Sequence, residues 1–468
     1  MLQHIFGFLI ILGLLGVGMA QTGNKKRATS ISSQNKTSQN ASIAPTTRDV
    51  KILKEDEMDF LLIDDVKIPI ISDISPFLPV GNLQLVFIGG GNIFNPTQKP
   101  LAKVTSTMLN HGTKKLGNIG FADLLESKAV EIDSQVGQSS LTIEVNFLKE
   151  YEDFAYEQLY NLLNDPNLTE STLKQVKDKL QAALMSKQTD FDYQAATLLN
   201  QNIFANTPLA YPALGNKSSE IESITLKDIK SYLQENITIS RAIIVVGGDL
   251  NLQSSLQKLL PLFDSLPKGH KIDIPSYKVK TSTLKTLKKD TQQAFIYFAS
   301  PLNITNLRND GYKAQVAGFI LGSSGFGSRL MEEIRVKRGL AYSAYMYPNL
   351  SRIQTSFFGH IQTALDKQDE TIKLTQEIIR DFIRNGATQE ELDSAKQFII
   401  GSRPLKEETL SQRLQAKFMN YYNGLPINYK DEFIENIKNL DLKTLNEFIL
   451  SHSEIANLTF SVVTNSSK

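Results

Sequence analysis

Apolar positions in this chain alternate between a period of two and a period near 3.6, so strands and helices are mixed from the start. Val50 to Leu53 and Phe60 to Ile63 predict two strands around a turn, and Leu83 to Ile88 predicts another, ended by Gly89-Gly90-Gly91. Ser139 to Phe147 alternates apolar and polar residues, as a half-buried strand does, whereas Arg241 to Gly247 is the unbroken apolar run of a buried one. Helical spacing falls between them, at Leu101 to Asn110, Leu124 to Lys128, Tyr151 to Leu163, Leu168 to about Leu198, and Leu226 to Gln234.

The second half of the chain repeats this order. Ile221 to Leu233 (IESITLKDIKSYL) aligns with Ile437 to Ile449 (IKNLDLKTLNEFI), and an apolar strand follows each, Ile243 to Val246 and Leu458 to Val463. Thr169 to Leu180 aligns with Thr388 to Ile399, each a polar cap followed by a helix. Two matches in the same order and nearly the same register predict a tandem duplication of an α+β unit. The expected domains are 49–265 and 277–468, joined by a Pro- and Lys-containing linker at 266–276.

The N-terminus reads differently. Ile5 to Met19 is apolar and ends in the small residues of a cleavage site at Gly18-Met19-Ala20, so residues 1–20 are expected to be an export signal. The run falls short of the about 18 apolar residues of a membrane span, although an uncleaved anchor stays the alternative. Residues 21–48 are rich in Ser, Thr, Asn, Gln and Lys and read as a disordered leader. The expectation is an exported protein, in a bacterial periplasm, touching a membrane only if the signal is retained.

Composition then removes several kinds of chemistry. Lys+Arg of 50 against Asp+Glu of 49 carries no signature of nucleic-acid binding. Cysteine is absent, which excludes disulfides, thiolate metal sites and a cysteine nucleophile. His4, His111, His270, His360 and His452 stand far apart, and no pair has the i, i+4 spacing of a helical zinc site. No G-x-S-x-G elbow occurs, and Gly322, Gly325 and Gly327 form neither dinucleotide nor P-loop spacing.

One stretch is left, Leu321 to Tyr345, reading LGSSGFGSRLMEEIRVKRGLAYSAY. A Gly/Ser turn leads into a short helix with Glu332 and Glu333 early and Arg335, Lys337 and Arg338 late, the order that suits a helix dipole. Gly339 occupies the C-cap position, and a strand with Tyr342, Tyr345 and Tyr347 follows. One reading pairs Arg335 with Glu332 and half-buries Tyr342. The other aims guanidinium and phenol together at a peptide carbonyl or its oxyanion. Spacing leaves both open.

The run Leu321-Gly322, Ser328-Arg329-Leu330 and Arg335-Val336-Lys337-Arg338-Gly339-Leu340-Ala341-Tyr342-Ser343 resembles the C-terminal-domain motif of the pitrilysin/insulinase family, zinc peptidases with an inverted H-x-x-E-H signature. The resemblance extends from about Asp49 to Val463 and implies a half-chamber made of two related α+β domains. In the first domain it fails at the metal. Pro100 to Thr113 reads PLAKVTSTMLNHGT, so Lys103 and Thr107 stand where the two ligand histidines would be and Ser106 where the glutamate base would be. No glutamate occurs from Ser171 to Ser219, where the third ligand would lie, yet Met108, Leu109, Gly112 and Thr113 keep the scaffold.

The resemblance therefore implies the zinc-less subunit of a two-subunit peptidase. Arg335 and Tyr342 would bind the substrate backbone and stabilise the tetrahedral intermediate. Gly325, Gly327 and Ser328 are the expected substrate-binding turn. This chain would hold no cofactor, and a partner subunit carrying H-x-x-E-H would supply the zinc. The rival expectation is a non-catalytic peptide-binding or structural homologue.

Overall fold

The computed structural model describes residues 49–95 and 99–465. The expected export signal and polar leader lie outside the described residues.

Seven strands form the first sheet: β1 (Ile52–Glu55), β2 (Met58–Ile63), β3 (Val66–Ile74), β4 (Val80–Ile88), β5 (Glu131–Val136), β6 (Ser140–Leu148) and β7 (Ala242–Gly248), in the order β1-β2-β3-β7-β4-β6-β5. Five form the second: β8 (Lys285–Lys288), β9 (Gln293–Pro301), β10 (Ala341–Leu350), β11 (Thr355–Ala364) and β12 (Thr459–Thr464), in the order β10-β11-β9-β12-β8. Read from β3, the first order is β3-β7-β4-β6-β5, and the second in the same direction is β8-β12-β9-β11-β10. Strand directions agree as well: β7 runs parallel to β3 and antiparallel to β4, as β12 does to β8 and β9. The expected α+β duplication is thus present, with β1 and β2 as additions to the first copy.

Helix starts repeat too, because the same cap chemistry satisfies free N–H groups at equivalent places. Thr225 and Asp228 form a capping box before helix Leu226–Asn236, and Asp441 caps helix Leu442–Ser451. Thr169 caps helix Glu170–Lys187, while Thr388 and Glu391 box the start of helix Gln389–Gly401.

The long helical stretch expected from Leu168 breaks in two. Asp190 accepts a hydrogen bond from the Tyr193 N–H and starts a second helix, Phe191–Ile203. That break has a consequence for the whole molecule. Helix Phe191–Ile203 packs over β9 and β12 of the second sheet, and helix Leu410–Tyr422 packs over β3 and β7 of the first. Each half therefore lends one helix to the other. Asp192 accepts from Tyr297 (3.0 Å) and Gln362 (2.8 Å), and in return Arg413 donates to Asp73 (2.7 Å) and Lys417 to the Ser72 carbonyl (2.8 Å). Between the sheets a shared apolar layer forms around Leu199, Ile203, Leu414 and Phe418, distinct from the cores built on Phe87 and Phe263 in one half and Phe298, Phe357 and Phe382 in the other.

Irregular chain runs from Leu266 to Leu284, further than the expected linker, and is strapped down by hydrogen bonds from Tyr277 N–H to Ile353 and from Lys280 N–H to Ile203. Among the described residues no helix is long and apolar enough to cross a membrane.

Candidate functional site

The turn after helix Leu307–Gly318 is built by backbone geometry. Gly325 and Gly327 both sit at positive φ (70° and 88°), a region costly for residues with a Cβ. No neighbouring atom within 4 Å would crowd a Cβ at Gly327, so conformation rather than close packing calls for glycine there. Ser328 closes the turn: its hydroxyl and its N–H both donate to the Gly325 carbonyl (2.7 and 3.1 Å), and the side chain is fully buried. Residue 326, between the two glycines, is thereby thrust outward, and Phe326 is 65% exposed.

Arg329 anchors the next turn. Its guanidinium donates twice to Glu391 (2.6 and 2.8 Å) and once to the Gly386 carbonyl (2.8 Å), and it lies over the Phe382 ring. From Met331 to Val336 the backbone is wound as a π-helix, with the Lys337 N–H donating to Glu332 five residues back. A second π-helical segment, Phe319–Ser323, precedes the glycine turn. Such wide turns are rare and frequently found at functional sites.

The widened winding settles the pairing of Arg335. Residues three apart no longer share a face, and no ion pair joins Arg335 to Glu332. Glu333 instead takes Lys337 (2.6 Å) and Arg338, whose hydrogen bonds hold its carboxyl below the ordinary glutamate range. Among the described residues no carboxylate lies within ion-pair distance of Arg335. Its guanidinium lies over two rings, 4.6 Å from the centre of Phe326 and 4.4 Å from that of Tyr342. Each exposed contact of this kind stabilises by about 0.5–1 kcal/mol. Stacking uses the π faces of the guanidinium and leaves its five N–H donors, which lie in the plane, available to a ligand.

Tyr342 is placed by a defect in the sheet. Gly339 adopts a left-handed φ of 59°, and its N–H and that of Leu340 return to the carbonyls of Arg335 and Ile334, ending the helix. The β10–β11 register then slips between Ala341 and Ser343, leaving Tyr342 as the unpaired residue of a bulge. The half-buried tyrosine of the first reading is thus turned out to solvent, 79% exposed. Arg335, Tyr342, Gly325, Gly327 and Ser328 come together in one place, and Phe326 joins them. Its only sequence signal was an aromatic residue between two glycines.

The equivalent of the metal position lies in the other half. Ser106 is buried and donates to the Ser134 carbonyl (2.7 Å), and Thr107 donates back to Lys103 of its own helix, Leu101–Leu109 (2.8 Å). These hydroxyls are engaged, and Lys103 offers an ammonium, so the set does not fit zinc. Nearby His111 is half-buried, and burial, then the charge of Lys179, hold its imidazole below the ordinary value. His360 stacks between Tyr297 and Tyr345, a structural setting for an imidazole that burial keeps neutral-leaning against the opposing pull of Asp192. Among the described residues no group of three or more His, Asp or Glu is arranged to hold a metal.

A tandem α+β fold that presents a stacked arginine and a bulged tyrosine, with no metal-holding group among the described residues, is a recognisable class. Residues 223–399 match the family described as Peptidase M16 inactive domain. A Helicobacter pylori protein, "Non-peptidase homolog YmxG", is 43% identical over 407 residues, covering 87% of this chain and 94% of the relative. Among solved structures, an M16 inactive domain from Pseudomonas fluorescens superposes with a TM-score of 0.77 at 21% identity, over 90% of this chain and 98% of that one. The periplasmic protease PqqL from Escherichia coli gives 0.76 at 13% identity, with 95% of this chain covering 49% of PqqL. The chain belongs to the M16 peptidase family, also called the pitrilysin/insulinase family, as a member without the H-x-x-E-H motif.

Proposed function

We propose that this chain is the zinc-free subunit of an exported two-subunit M16 peptidase, and that it supplies Arg335 and Tyr342 to peptide substrate held against a partner that carries H-x-x-E-H. The observation that carries the reading is the state of Arg335. A guanidinium fixed by two rings, with its donor edge unoccupied, is prepared for a carbonyl or an oxyanion and has no evident structural task. The match of this chain to about half of the PqqL chain supports a partnership between two such units. Zinc and the general base would belong to the partner. Gly325, Gly327 and Ser328 would let substrate backbone approach the turn.

Co-purification followed by assay on an unstructured fluorogenic peptide tests the reading. The complex is expected to cleave, the chain alone not to, and Arg335→Ala with Tyr342→Phe to lose activity without dissociating the pair. Full activity of that double variant would remove the role assigned to the two residues. A second reading, a peptide-binding or structural homologue without turnover, is favoured by the name of the 43% identical relative. Peptide binding with no cleavage in any pairing would establish it instead.

A further inference from the structure

We infer that Phe326 is a positioning residue that holds the Arg335 guanidinium edge-on to the ligand, an inference that rests on the function proposed for Arg335. Phe326 is a large apolar side chain kept in solvent, where burial contributes little to its stability. Its placement is nonetheless built. Left-handed glycines on both sides fix the turn, and the buried Ser328 hydroxyl locks it onto the Gly325 carbonyl. The guanidinium lies over the Phe326 ring as it does over that of Tyr342. Tyr342 alone would leave Arg335 free to swing about a single contact. Two ring contacts restrict that swing and leave the in-plane N–H donors to a ligand. A carboxylate at residue 326 would also hold the arginine, but would occupy the donors that a ligand needs. An aromatic ring orients the cation and leaves those donors open.

The inference predicts that the π face of residue 326 matters, rather than its bulk, and that its effect passes entirely through Arg335. Two measurements test it. In the full-length chain alone, the Arg335 Nε–H resonance, assigned by its loss in Arg335→Lys, is expected to carry a ring-current shift that shrinks in Phe326→Ala and Phe326→Leu and returns in Phe326→Trp. An unchanged resonance in Phe326→Ala would overturn the inference, whatever the activity of the complex. In the complex with the zinc-bearing subunit, Phe326→Ala is expected to lower kcat/KM by about two- to fivefold, the range one exposed cation–π contact supports. Phe326→Trp should restore it, and the substitution should have no further effect in an Arg335→Ala background. An equal loss in that background would mean that Phe326 touches substrate directly and would also overturn the inference. If Arg335→Ala is itself fully active, the proposed function fails, while the resonance still reports whether Phe326 holds the arginine.

Discussion

Arg329 and Glu391 are joined by two nearly parallel hydrogen bonds, of 2.6 and 2.8 Å, that tie the turn carrying the candidate site to the start of a helix 62 residues further along the chain. Glu391 also accepts from the Thr388 N–H, so one carboxylate serves both a capping box and an ion pair. Burial raises its pKa, but the hydrogen bonds from Arg329 and Thr388 outweigh that and hold it below the ordinary glutamate range.

The folded state is therefore the weaker proton binder at Glu391. Its contribution to stability is complete above the unfolded pKa of about 4.3 and is lost as pH falls through the lower folded value. Denaturant melts from pH 7 to pH 3 are expected to show wild type losing more stability below about pH 4.5 than Glu391→Gln does. At neutral pH, Glu391→Ala is expected to cost about 2 kcal/mol, the scale of charge-assisted hydrogen bonds in a partly buried site.

Among the described residues Arg335 makes no ion pair and only its two ring contacts are lost on removal, so stability should fall by about 1–2 kcal/mol. Its loss in the active complex is expected to be about a hundredfold in kcat, typical of one preorganised donor at a developing oxyanion. Arg335→Lys should rescue poorly, because an ammonium keeps the charge but not the planar donor edge or the flat stacking surface. Thermal melting beside steady-state kinetics separates the two effects.

The helix Leu101–Leu109 has packed around its serine. Ser106 is 1% exposed, and its hydroxyl is spent on the Ser134 carbonyl. Restoring the family's residue at this one position, as Ser106→Glu, should destabilise the chain by about 2–3 kcal/mol by burying a carboxylate and breaking that bond. Lys103→His with Thr107→His should still fail to bind zinc stoichiometrically, since no third ligand follows; metal analysis after dialysis checks this.

The exchange of helices between halves offers a further test. The Tyr422 hydroxyl shares a buried hydrogen bond of 2.6 Å with Ser139, 283 residues away in sequence. Tyr422→Phe alone should cost about 1 kcal/mol, and the pair Tyr422→Phe with Ser139→Ala less than the sum of the single changes. Urea titration of the three variants gives the coupling directly.

Much of the fold was legible along the chain. Thr169, Thr225, Thr388 and Asp441 all cap helices, and the matched segments they open occupy equivalent places in the two halves. Helix Leu252–Ser265 and strand β3 were not anticipated, and the helix expected at Leu124 to Lys128 in fact runs Gly117–Glu126. The break at Asp190 was masked because a cap inside a continuing apolar rhythm looks like any other polar position.

Periodicity, caps and left-handed glycines act within a few residues, so the α+β duplication and the turn at Gly325 and Gly327 could be read from the linear order, and the family resemblance marked Lys103 and Thr107 in place of the ligand histidines and Ser106 in place of the glutamate base. The partner of Arg335 could not. It depended on the number of residues per helical turn between Met331 and Val336, on a slip in register against β11 that exposes Tyr342, and on Phe326 reaching across from the glycine turn. Each of these is a relation between segments that meet only when the backbone closes on itself, and tertiary packing decided them.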